Sequence, residues 1–223
     1  MQRGAKANQE SAVKYWNFSK GQFTRRVSEN HKGATPRVLE QGPNTGKTIH
    51  EIFMDQVTGQ ITEIKVREGD YGKSFQMLID VTEDDLSPEF YAVDFRFNST
   101  GKSLLKKLPN IDLTKDVALV GYAIDGTNSK GEAVTNYYAV PYQGEISKAG
   151  KVEPAYTKEE PNGYPEMKKI KVKGKNTWDD TDQLEFLENL INSIKWQGQT
   201  EQATPEAVET PEIEDEQTEE IPF

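Results

Sequence analysis

Residues 75 to 82, Phe75-Gln76-Met77-Leu78-Ile79-Asp80-Val81-Thr82, and residues 90 to 98, Phe90-Tyr91-Ala92-Val93-Asp94-Phe95-Arg96-Phe97-Asn98, carry the fold in their parity. In the first run Phe75, Met77, Ile79 and Val81 alternate with the mixed set Gln76, Leu78, Asp80 and Thr82. In the second, Tyr91, Val93, Phe95 and Phe97 alternate with Phe90, Ala92, Asp94 and Arg96. A period of two with one apolar side is the pattern of a half-buried β-strand. The acidic Glu83-Asp84-Asp85 between the runs reads as a turn.

Working outward, an extended region is expected over 48 to 54 and, after a turn at Gly59, over 61 to 67, where Ile64 and Val66 alternate with Glu63, Lys65 and Arg67. Gly69-Asp70-Tyr71-Gly72-Lys73 is a loop before the strand at 75. On the other side, Ser99 or Thr100 can cap a helical segment, 101 to 108, with Leu104, Leu105 and Leu108 at helical spacing and a stop at Pro109. Strands at 117 to 124 and 133 to 142 flank the turn-rich stretch 125 to 131. Three strands, a short helix and two strands are the order of the OB-fold, a five-stranded partly open barrel that receives oligonucleotides on its strand 2 and 3 face and in neighbouring loops. The expected fold class is therefore mainly β: such a barrel, a C-terminal amphipathic helix and a disordered acidic tail.

Past the barrel, the lysines of 168 to 175 predict an added strand with a cationic side made by Lys169, Lys171, Lys173 and Lys175. The apolar stripe Leu184, Leu187, Ile191 and Ile194 predicts a helix over 182 to 196 that docks on the barrel. From 198 onward Gln, Thr, Pro and Glu dominate, a composition that cannot bury enough apolar surface to order itself. The chain divides accordingly into a basic aromatic arm (1 to 45), a barrel domain with its Lys-rich extension and helix (46 to 197) and the tail (198 to 223).

The net charge of −10 is misleading as a guide to partners. Residues 199 to 223 hold nine of the 37 acids and none of the 27 bases, so the rest of the chain is nearly neutral. Residues 1 to 38 carry eight bases against two acids. A basic arm thus faces an acidic tail, and nucleic acid is not excluded by charge. The absence of cysteine removes disulfides and thiolate metal sites, and no apolar run approaches the length of a membrane span, so a cytoplasmic protein without a membrane partner is expected.

Catalytic readings fail on spacing. Gly46-Lys47-Thr48, Gly72-Lys73-Ser74 and Gly101-Lys102-Ser103 end like phosphate-binding loops, but the required first glycine is replaced by Gln41, Arg67 and Arg96. His31 and His50 lie in no metal-ligand spacing, and the 83 to 85 acids lack a second acidic group at a defined distance. No catalytic residue, metal or other cofactor is expected.

Aromatic residues interleaved with bases are the positive signal, because single strands are held by cationic grooves for phosphates and by rings on which bases stack. The candidates in the arm are Tyr15, Trp16, Phe18, Phe23, Arg25 and Arg26. Lys65, Arg67, Tyr71, Lys73, Arg96 and Tyr137 follow from the sheet and its loops. Phe75, Tyr91, Phe95 and Phe97 share their sides with aliphatic residues and are assigned to the core.

The chain ends Glu219-Glu220-Ile221-Pro222-Phe223, an apolar tip on a polyanion. That tip resembles the C-terminal tip of bacterial and phage single-stranded DNA-binding proteins. The resemblance implies sequence-independent coating of single-stranded DNA in replication, recombination or repair, with no reaction catalysed. It also implies that Glu219, Glu220, Ile221, Pro222 and Phe223 recruit replication proteins such as polymerase, helicase, primase or repair factors. The competing reading is an RNA-binding, cold-shock-like regulator on the same fold, since the 2′-hydroxyl contacts that separate RNA from DNA are not written in a sequence.

Overall fold

The computed structural model describes residues 13–40, 42–69, 72–83, 87–128, 130–172 and 174–196. Along them run β1 (Val13–Ser19), β2 (Gln22–Val27), β3 (Thr35–Val38), β4 (Thr48–Met54), β5 (Gln56–Gly69), β6 (Gly72–Asp80) and β7 (Phe90–Arg96). After these come α1 (Ser99–Leu105), β8 (Val117–Thr127), β9 (Ala133–Tyr142), β10 (Lys168–Val172), β11 (Lys175–Asp179) and α2 (Thr181–Ser193).

Nine strands form one mixed sheet in the order β3-β4-β2-β1-β7-β6-β5-β8-β9. Among the described strands only β1 and β7 pair in parallel. The sheet is not closed, since among the described residues no ladder joins its outer strands β3 and β9. It coils instead through β5, whose first residues pair with β8 (Gln56 opposite Val120) and whose remainder, from Gln60, pairs with β6 across a register shift between Ile61 and Glu63. A bulge of this kind bends a strand and strengthens its twist.

The expected turn at Gly59 is absent, because Gly59 lies inside β5. A Cβ there would come within 2.1 Å of the Asp80 carbonyl oxygen, so the glycine serves close backbone packing at the bend. The expectation of a separate N-terminal arm also fails for residues 13 to 38. They supply three strands, and β1 sits inside the sheet between β2 and β7. The β1–β2 turn takes positive φ at Lys20 and Gly21, as a tight two-residue hairpin of the primed kind requires. Its tip rests on β8, where a Cβ on Gly121 would lie 2.4 Å from the Gly21 carbonyl oxygen.

The core lies against one face. Parity sends Phe75, Met77 and Ile79 of β6 and Val93 and Phe95 of β7 into it, together with Trp16 and Phe23. Phe95 stacks on Phe75 and on Phe18, each at 5.3 Å between ring centroids. Helix α1 differs from expectation at both ends. It is capped by the Asn98 carboxamide, which accepts from the Gly101 amide at 3.1 Å, and it ends before Leu108, which opens a 3-10 turn containing Pro109. Thr100 donates to the Tyr137 carbonyl at 2.6 Å, fastening α1 to β9. Helix α2 buries Leu187 and Ile191, lies against β5 and stops at Ser193, short of the expected 196. The expected Lys-rich strand is a hairpin, β10–β11, which pairs with no other described strand.

Candidate nucleic-acid interface

Residues directly opposite one another in a ladder point to the same face, so the register lists what the face away from the core presents. One unbroken row crosses six strands: Phe53, Thr24, Asn17, Asp94, Gln76 and Lys65, each opposite the next. Beside it Arg96, Ser74 and Arg67 form a second row. On the other flank Tyr15 stands opposite Ala92, and Arg26 opposite Glu51. At the usual spacing of ~4.8 Å between strands, the six-strand row spans roughly 24 Å. Tyr15 is 57% exposed and Phe53 42%, and Arg26, Lys65, Arg67 and Arg96 are exposed as well.

The β1–β2 ladder runs only from Ser19 opposite Gln22 to Asn17 opposite Thr24. Beyond that point β1 follows β7 and β2 follows β4. A shallow cleft of about 400 Å³ opens there, lined by Val13, Lys14, Tyr15, Asn17, Arg25 and Arg26. It places an aromatic ring beside guanidinium groups. Two of its neighbours are neutralised already: Lys14 donates to Glu89 at 2.5 Å, holding that carboxyl below its ordinary range, and Glu51 takes Arg37 on both oxygens at 2.7 and 3.0 Å. Glu51 is itself held below the ordinary range by that bidentate pair, the strong geometry for guanidinium and carboxylate.

Asp94 is the acid at the middle of the long row. Burial pushes its carboxyl above the usual aspartate range, opposed by the Gln76 amide, which donates at 3.0 Å, and by the charge of Arg67. It thus gives up its charge more readily than an exposed aspartate.

The residues expected to bind divide sharply on this structure. Arg26, Lys65, Arg67 and Arg96 lie on the face just described. Trp16 (2% exposed) and Phe23 (0%) are core residues, and Phe18 is wedged between Phe23 and Phe95, so none of the three presents a ring to a ligand. Arg25 has the parity of Phe23, opposite to that of Arg26, so it lines the cleft between β1 and β2 but stands outside the cross-strand rows. Lys73 is drawn to α2 by Glu188 at 2.7 Å. Tyr137 is exposed but shares the side of Ala139, a core residue. Tyr71 and the tip from Glu219 to Phe223 lie outside the described residues.

No family model matches the chain, and no curated protein or solved structure shows significant similarity to it. The functional reading therefore rests on the geometry alone. Among the described residues no group of three or more His, Asp or Glu is placed to hold a metal ion, and no helix is long and apolar enough to cross a membrane.

Sequence reasoning did not separate Tyr15 from Trp16 and Phe18 in β1, left Tyr122 and Tyr138, which stack at 5.5 Å on β8 and β9, unassigned, and missed Phe53 and Asn17. Alternation in 13 to 19 was the available signal, since Trp16 and Phe18 share one parity and Tyr15 and Asn17 the other. For Phe53 there was none, because its exposure depends on the partner of β4.

Proposed function

We propose that this protein binds single-stranded DNA without regard to base order, laying the strand across the face that carries Tyr15, Phe53, Arg26, Lys65, Arg67 and Arg96. The observation that carries the reading is the continuous cross-strand row from Phe53 to Lys65, with exposed rings near one end and exposed cations along its flanks. Rings take bases whatever their identity, cations take phosphates, and no step of such binding needs a catalytic group. The finer architecture we propose is an OB unit made of β5, β6, β7, β8 and β9, with α1 between β7 and β8 and with β1 added along the edge of β7. The sharing of β5 between β6 and β8 supports it, as does the position of the long row across β6 and β7, the second and third strands of that unit.

In the same proposal the protein acts in the cytoplasm during replication, recombination or repair, and the tip from Glu219 to Phe223 is the contact for partner proteins, its ring and acidic side chains suited to a basic, apolar pocket. The test is anisotropy of labelled oligo(dT), the matched RNA and a duplex across a salt series. Preference for the DNA single strand, with log K falling by about 0.7 per phosphate contact against log salt, is the expected result. Preference for duplex, or an affinity independent of salt, overturns the reading, and a preference for RNA moves the protein to the RNA-binding class.

A further inference from the structure

The β10–β11 hairpin stands outside the nine-stranded sheet and has no role in the site above. Its register pairs Lys169 with Trp178 and Lys171 with Asn176, so these four side chains share one face. Trp178 is 60% exposed, and the Lys169 ammonium lies 6.0 Å from its ring centroid. Neither Lys169 nor Lys171 is ion-paired with a described residue. The hairpin is anchored at its base, where Lys168 meets Asp182 of α2 at 2.5 Å and the Asp179 carboxylate accepts from the Thr181 amide and hydroxyl at 3.0 and 2.6 Å.

An indole left this exposed forgoes the burial that tryptophan ordinarily gains. We infer that the hairpin is a second contact for the single strand, with a base stacking on Trp178 and neighbouring phosphates held by Lys169 and Lys171. The inference rests on the single-strand reading proposed above. Charge selects the occupant: Lys168, Lys169, Lys171 and Lys175 stand against Asp179 alone among the hairpin's described residues. Lysine is depleted where proteins meet proteins, whereas a ring among cations is what a single strand requires.

The structure also supplies the reporter. Of the three tryptophans, Trp16 and Trp196 are buried and Trp178 is exposed, so quenching of intrinsic emission by DNA reads the hairpin. Full-length protein is titrated with oligo(dT) of about 20 nucleotides, somewhat longer than one OB-type site, while anisotropy of a labelled copy reports binding independently. The expected result is quenching on binding, with affinity falling about 5- to 150-fold in Trp178→Ala and recovering in Trp178→Phe, which keeps a ring but loses the signal. Unchanged melting temperature in both variants is expected, because the ring is outside the core. Binding by anisotropy with no quenching and an unchanged Trp178→Ala affinity overturns the hairpin contact and leaves the sheet reading standing. A Trp178→Ala variant that binds DNA normally but loses self-association in sedimentation overturns it in favour of a contact between copies. Absence of binding by anisotropy overturns the sheet reading, and the hairpin contact with it.

Discussion

On the core face of the sheet the rings of Phe18, Phe23, Phe75 and Phe95 pack on one another at centroid distances of 5.2 to 6.4 Å, whereas on the opposite face the exposed Tyr15 and Phe53 meet no other described ring. Both faces are aromatic, so ring content does not separate a core from a binding surface. What separates them is whether the ring's face is already spent on a neighbour. Tyr15 and Trp16 are adjacent in sequence and lie on opposite sides of that division.

The largest effect should come from the core. Phe95→Ala removes a ring that meets those of Phe18, Phe23 and Phe75 and should cost about 3 to 5 kcal/mol of stability in urea denaturation, with the affinity of the protein that remains folded nearly unchanged. Tyr15→Ala should do the reverse: about 1 to 3 kcal/mol lost in single-strand binding, and a stability change within about 0.5 kcal/mol. A fall in melting temperature with affinity intact would make Tyr15 a packing residue and erase the contrast. Arg26→Gln should weaken binding alike for all base compositions and reduce the salt slope by about 0.7 in a log–log plot. Loss of affinity for only some sequences would instead point to base reading.

Asp94→Asn should give the smallest change, a tightening of about 0.5 kcal/mol from removing one negative charge near the phosphates. The pH dependence sharpens this. Because burial raises the Asp94 carboxyl, it is neutralised earlier than an ordinary aspartate as pH falls, despite Arg67 and Gln76. Wild-type affinity should therefore rise as pH falls through the region just above the ordinary aspartate range, and the Asn variant should lack that rise. For stability the sign is the same, since a carboxyl raised on folding opposes the folded state at neutral pH and ceases to do so once protonated.

Period-two alternation was enough to locate β6 and β7, because one side of each sends Phe75, Met77 and Ile79, and Val93 and Phe95, into the core. It did not give β1 and β2. There the core-facing Trp16, Phe18 and Phe23 stand among Lys14, Asn17, Arg25 and Arg26, and a cluster of rings and bases reads as a ligand site when the partner strand is unknown. The parallel pairing with β7 decides which rings are inside, and it joins residues 77 apart, Val13 opposite Phe90. Lys73 shows the same limit for charge, since Glu188 lies 115 positions away. Register within a strand is local and legible, whereas the neighbour across a long loop is set by the packing of the whole sheet.

The place of β1 between β2 and β7 also sets an order of events during synthesis. Lys14 leaves the ribosome 75 residues ahead of Glu89, its eventual partner beside β7. At about 5 to 20 residues per second, that interval is roughly 4 to 15 s. Through it, the strand destined for the middle of the sheet has only Asn17 to Ser19 covered by β2 on one edge and the other edge bare, with Trp16 and Phe18 still in water. The nascent chain is open to misassembly in that window, and the two-residue turn at Lys20 and Gly21, which needs no distant residue to form, pairs the end of β1 with β2 while the rest of the strand waits.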